Sequence, residues 1–296
     1  MNKHIIRNIG LVLAILGMAA CGDETETIKR QDVKSTPMTF VVNHPGQTRA
    51  TATAFERDDI IGLYVADAKA PLEIGGNLVN NAALTFDGNT WTPNHTLYWD
   101  DGSYNAYAYY PYIKGISSIT DQPFSVSTDQ STARTATALG GYEASDLLFA
   151  TSKNIMASVS PIRLTFKHIM SKLKIRLVKG EDFEGDMPTT ATVYIHNTVP
   201  TATVDLQAGV ATRYVKGTRQ TITAHQDGDT SYSAIIVPQR IDNRQPLIEV
   251  VMKGVSYLFE SKFQFKPGTE HVVNLIISDN PDKVKIDIGG EIQDWQ

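Results

Sequence analysis

Short runs of β-branched and aromatic residues recur from Ile60 to Ile277, each closed by a turn signal, and no long stretch repeats with helical spacing. Ile60–Val65, Tyr104–Tyr109, Leu173–Leu177, Thr192–His196, Ser233–Val237, Ile248–Met252, Tyr257–Phe259 and His271–Ile277 are the clearest runs. Several alternate apolar and polar side chains, the pattern of strands buried on one face. Asp87-Gly88-Asn89, Asp100-Asp101-Gly102, Asp227-Gly228-Asp229 and Lys266-Pro267-Gly268 separate them with turn chemistry. The stretch Thr132 to Glu143 reads as an irregular or helical connection. Many short strands with such punctuation predict an all-β chain built as sandwiches. Polar residues at 155–160 precede a new run, Ile162-Arg-Leu-Thr-Phe166, so the expected division is two tandem β-sandwich domains, 50–158 and 159–296.

Nothing covalent helps hold those sandwiches, because the only cysteine is Cys21. Its setting is informative. Lys3 and Arg7 precede the apolar run Ile9–Met18, and the small residues Ala19-Ala20 lead into Cys21, an export-signal pattern over residues 1–20. The run is shorter than the roughly 20 residues of a membrane-spanning helix. A thiol at the cleavage position is what a lipoprotein signal needs, since the lipid is attached there before the Ala20–Cys21 bond is cut. This stretch resembles the lipobox of bacterial lipoproteins, with Met18 where leucine is more usual. The expectation is an outer-membrane lipoprotein held by lipid on Cys21. Gly22-Asp-Glu-Thr-Glu26 is a short acidic tether resembling an export signal of some Bacteroidetes-type surface lipoproteins, which puts surface exposure ahead of a periplasmic location.

Charge narrows the partners. Residues 1–49 hold six basic and four acidic side chains of the chain's 27 and 32, leaving 21 against 28 and a net charge of −7 for the remainder. A moderately acidic, unpatterned surface argues against nucleic acid and against a polybasic membrane face. Catalysis has little support. The seven histidines stand apart, with no His-Glu-x-x-His pair, no Gly-x-Ser-x-Gly elbow and no glycine-rich phosphate loop. No enzyme activity, cofactor or metal is expected. Asp100-Asp101-Gly102 and Asp227-Gly228-Asp229 lack the ligand spacing of an EF-hand and read as turns. His168, between two strand-like runs, reads as a hydrogen-bonded structural residue. The tyrosines of 98–112 alternate with alanine and asparagine, which favours a strand over a glycan-stacking platform.

That aromatic stretch, Leu97-Tyr-Trp-Asp-Asp-Gly-Ser-Tyr-Asn-Ala-Tyr-Ala-Tyr-Tyr-Pro-Tyr112, resembles a signature of the fimbrillin family, which supplies subunits of type V pili in Bacteroidetes-type bacteria. Thr48-Arg49-Ala50 with Asp58–Val65, Asp146–Ala150 and Leu164–Leu177 resemble further family segments in the expected order. The resemblance implies two tandem transthyretin-like sandwiches. It also implies assembly: an arginine-specific surface protease cuts the precursor, an N-terminal strand leaves, and a C-terminal strand of a neighbouring subunit fills the groove.

Both chain ends offer parts for that scheme. Met38, Phe40 and Val42 fall on one face of Met38–Asn43, as a removable groove-filling strand requires. Asn43-His-Pro-Gly-Gln-Thr-Arg49 follows as a Pro-Gly loop, and cleavage between Arg49 and Ala50 would release residues 21–49 as tether and propeptide. Arg30 and Arg57 are rival sites, although a cut at Arg30 would leave the strand attached. Near the C-terminus, Val284, Ile286 and Ile288 alternate with Lys285 and Asp287 and can present a similar apolar row. Trp295 is either a late anchor for this donor strand or a core residue. The resulting expectation is a shaft or accessory subunit of a cell-surface pilus that partners other fimbrial subunits. A tip or anchor subunit, or a monomeric lipoprotein binding glycan or a host ligand, are the alternatives.

Overall fold

The computed structural model describes residues 36–45, 54–280, 285–287 and 292–295. Ten elements precede Met170: β1 (Phe40–Asn43), β2 (Ile60–Asp67), β3 (Val79–Phe86), β4 (Trp91–Pro93), β5 (Ser103–Tyr110), β6 (Gln122–Ser125), the short helix α1 (Gly141–Ser145), β7 (Leu148–Met156), β8 (Ile162–Thr165) and β9 (Lys167–His168). The rest of the chain forms β10 (Ser171–Lys179), β11 (Thr192–Thr198), β12 (Thr201–Asp205), β13 (Val210–Arg213), β14 (Gln220–Thr223), β15 (His225–Gly228), β16 (Ser231–Ile236) and β17 (Gln239–Met252). These are followed by β18 (Val255–Phe265), β19 (Thr269–Ile277), β20 (Lys285–Asp287) and β21 (Ile292–Asp294). The protein is all-β, as the turn-punctuated runs predict; three of the quoted turn signals lie between strands, whereas Asp227 and Gly228 are the last residues of β15 and the turn begins at Asp229. The connection through Thr132–Glu143 is irregular until α1 begins at Gly141.

Five sheets result. The largest antiparallel one has the order β4-β3-β2-β5-β7-β9, and a second runs β15-β16-β10-β19, with both β20 and β21 on the outer edge of β19. Between and around them lie β14-β11-β17-β18, the small sheet β13-β12-β6, and the parallel pair β1-β8.

The first sheet is covered on both faces, which explains why β2 and β5 are buried almost end to end. Period-two alternation sorts their side chains. Ile61, Leu63, Val65, Ala106, Ala108, Tyr110, Leu148 and Ala150 face one core shared with Met38, Trp99, Ile162, Leu164 and Phe166. Tyr64, Ala66, Tyr107, Tyr109 and Phe149 face the other, shared with Ala202, Val204, Leu206 and the second half of the chain. Tyr104, Tyr107, Tyr109 and Tyr110 are therefore core residues, whereas Tyr98 at the start of that stretch is half exposed, at 51%. The run Ile162–Phe166 packs against β1 and the first sheet. Gly209, in the tight turn joining β12 to β13 at φ +67°, lies so close to the Phe149 ring that no Cβ would fit.

Candidate functional site

Residues 36–45 form the candidate site together with the groove they fill. Thr36 accepts a hydrogen bond from Trp99 N–H at 3.0 Å, and Met38 N–H donates to Leu97 O at 2.8 Å. Pro37 bridges Tyr98 in antiparallel fashion. Two residues later the chain changes partner. Ile162 N–H donates to Thr39 O at 2.8 Å, and β1 then runs parallel to β8 with Phe40 opposite Ile162, Val42 opposite Leu164 and Asn43 opposite Thr165. Phe166 N–H closes the ladder on Asn43 O at 3.0 Å.

The apolar row Met38, Phe40, Val42 points as its alternation predicts. Met38 is 5% exposed in the first core, and Phe40 and Val42 are half buried against it. Within 40–43, β8 is the only strand that pairs with β1 among the described residues. Its other edge faces a trough of about 760 Å3 lined by Phe40, Val42, Phe55, Phe86 and Trp91, across which lies β4. A strand bonded on one side, with solvent and apolar wall on the other, is held less firmly than one inside a sheet.

At the far end of β1 the chain enters a second cleft of about 510 Å3, lined among others by His44, Asp59, Arg134, Asp146 and Asp227. His44 is 9% exposed, with Phe55 edge-on at 4.8 Å and His168 edge-on at 6.0 Å. Burial pulls its pKa down to about 4, helped by His168 and opposed by the carboxylates of Asp146 and Asp59. His168 is a structural residue, with Nδ1 at 2.8 Å from Asp146 Oδ1. Its ring carries Trp295 stacked at 3.6 Å. On the opposite wall, the buried carboxylate of Asp59 accepts from Arg134 Nη1 at 2.8 Å, Glu56 N–H at 2.8 Å and Tyr110 Oη at 3.2 Å. This network ties the Glu56–Asp59 turn to Arg134 and Tyr110.

Cys21, Ala20, Arg49 and Ala50 lie outside the described residues, as do Val284 and Ile288 of the candidate donor strand. Ile286 belongs to β20, opposite Leu275 of the chain's own β19. β21 pairs lower on the same strand, with Ile292 opposite His271, and Trp295 N–H donates to Gly268 O at 3.0 Å. Sequence reasoning did not identify His44 or the parallel partner of β1. A histidine directly after an alternating strand was the one available signal for the first, and none existed for the second. Among the described residues no group of three or more His, Asp or Glu side chains is placed to hold a metal ion.

The same architecture occurs in solved structures. Cell adhesion proteins from Bacteroides ovatus and Bacteroides uniformis superpose with TM-scores of 0.68 and 0.66 at 20% and 21% identity, each match covering 88% of this chain and 98% of the other. At this level of identity the likeness shows a shared all-β fold. A Bacteroides ovatus protein named as a fimbrium tip subunit, Fim1C, is 25% identical over 230 residues, which is 68% of this chain. The chain spans 41% of that relative's length. Residues 48–295 match the fimbrillin-like family, and the chain belongs to it.

Proposed function

We propose that this protein is a shaft or accessory subunit of a type V pilus, exported as an outer-membrane lipoprotein on Cys21 and matured by cleavage between Arg49 and Ala50. An arginine-specific surface protease is the partner in that step, and neighbouring fimbrial subunits are the partners in the next. Once residues 21–49 are released, the groove of β1 is empty. Val284, Ile286 and Ile288 of a neighbour then take the places of Met38, Phe40 and Val42. The proposed division into sandwiches falls at 158/159 in sequence, with β8 and β9 reaching back onto the first.

The observation that carries this reading is the one-sided seating of β1. Its three apolar side chains contribute about 1.5–3 kcal/mol each on full burial. Its ladder adds about 0.5–1.5 kcal/mol per hydrogen bond. Tethered in the same chain, such a strand outcompetes any neighbour through its effective concentration. Cleavage removes that advantage, so polymerisation is gated by proteolysis. The tip role is kept as the second reading, because the relative that spans most of this chain is named for it.

Limited trypsin digestion of residues 22–296 tests the proposal by intact mass and size distribution. One cut after Arg49 followed by denaturant-resistant multimers is the expected result, and substitution of Ile286 and Ile288 by Asp should abolish the multimers. A stable monomer after cleavage would overturn it.

A further inference from the structure

We infer that the free edge of β18 pairs with the same edge of a second copy of this chain, antiparallel and centred on Ser261, so that uncut subunits associate side by side. This goes beyond the strand-exchange reading and is independent of it, since neither β1 nor the cut after Arg49 takes part.

β18 is an 11-residue strand at the margin of the sheet β14-β11-β17-β18, and among the described residues β17 is its one ladder partner. Lys253 and Gly254, at φ +51° and +76°, make the two-residue turn that joins these strands and closes on Met252 and Val255. A pair flanking such a turn is hydrogen-bonded, so Val255, Tyr257 and Phe259 direct their main-chain groups at β17. The extra residues at both register shifts lie on β17, and β18 keeps its alternation through them. Ser256, Leu258, Glu260, Lys262 and Gln264 therefore turn their N–H and C=O groups out of the sheet, and their side chains are exposed. Lys266 N–H, next in that series, already donates to His271 Nε2 at 3.1 Å, which ends the free row.

An unpaired row of this length is a template for another strand. The charges on it select which strand. With a two-fold axis at Ser261, Glu260 of each copy lies opposite Lys262 of the other, and Leu258 lies opposite Gln264. All of these are outward-directed residues, so the junction gains about eight main-chain hydrogen bonds. On the core side Phe263, half buried, comes opposite Phe259 of the second copy, an aromatic cross-strand pair. Moving the axis by one residue sets Glu260 against Glu260 or Lys262 against Lys262, and like charges directly opposite destabilise a pair. Lys262 has no carboxylate partner in its own chain among the described residues. Glu260 has Arg244 at 3.5 Å, with both side chains well exposed, and keeps room for a second cation. The edge is thus complementary to itself in one register and guarded in its neighbours.

Sedimentation equilibrium of the uncut chain from Gly22 to Gln296 tests this, because that chain keeps its N-terminal strand and has no cysteine. A reversible dimer is the expected result. Glu260→Lys and Lys262→Glu should each raise the dimer Kd by about tenfold or more, equivalent to at least about 1.4 kcal/mol. The double variant carrying both changes should recover the dimer, as should an equimolar mixture of the two single variants, because opposite charges then face each other again. Ser261→Cys, at the axis, sits in a close non-hydrogen-bonded pair and should give a disulfide-linked dimer on oxidation, whereas Ser256→Cys should not. A chain that is still monomeric at about 1 mM overturns the inference, and so does a dimer that ignores both charge changes. Either result leaves strand exchange standing, since that reads out only after the cut.

Discussion

Trp295 lies flat on His168, with ring centroids 3.6 Å apart and planes 6° from parallel. His168 is also the residue against which His44, at the end of β1, sets its edge. One imidazole, buried at 4% exposure and tied to Asp146, thus touches both the N-terminal strand and the C-terminal segment. Lys172 caps the indole from 5.8 Å, itself held by Glu270 at 2.8 Å.

Truncating Trp295 to Ala should loosen the C-terminal segment without unfolding the body. A stacked aromatic pair contributes about 0.5–1.5 kcal/mol beyond its buried area. Hydrogen exchange at the backbone amides paired between β21 and β19 should lose up to roughly tenfold in protection, equivalent to about 1.4 kcal/mol. Unchanged protection would mean that the ladder alone holds this segment.

Met38→Asp should expel β1. The side chain is 5% exposed in an apolar core, and loss of a buried methionine alone costs about 2–5 kcal/mol before any charge is introduced. Thr39→Asp, one residue on and solvent-facing, is the control and should change little. Protease sensitivity of residues 36–43 distinguishes the two, and equal sensitivity in both variants would refute the asymmetry.

Acid should weaken the seating of β1 through His44. The released strand titrates near the ordinary 6.5 and the packed ring at about 4, so the neutral ring's contribution is complete above pH 6.5 and is lost as pH falls to about 4. A shift of that size corresponds to about 3 kcal/mol. The amides of Ile162 and Phe166, which donate to Thr39 and Asn43, report the change as protection factors measured between pH 7 and 4.5. His44→Phe should flatten that dependence; a profile that keeps its shape would assign it to other groups.

Gly209→Ala should destabilise the packing of the β12–β13 turn on the first sheet. The added methyl meets the Phe149 ring, and the positive φ penalises any side chain there. A loss of about 1–3 kcal/mol is expected, read as a lower midpoint in urea with m unchanged. A neutral result would show that Phe149 can move aside.

The strands were legible because period-two alternation reports locally which side chains turn inward. β2, β5, β10, β11 and β19 contain the runs read from the sequence. Met38, Phe40 and Val42 likewise lie on the inward face of their strand. Less legible were strands whose polarity breaks the pattern, such as the first half of β17, where Arg240, Asp242, Asn243 and Arg244 are exposed.

What the sequence by itself determined was therefore the all-β class, the turn positions, the fimbrillin resemblance and the apolar face of the N-terminal strand. Tertiary structure alone decided that this strand lies parallel to Ile162–Thr165, that its outer edge faces a trough, and that His168 joins the two ends of the chain. Alternation fixes which face of a strand is buried but carries no label for its partner. Phe40 and Ile162 meet across more than a hundred residues of intervening chain, and that choice is made by the fit of whole cores.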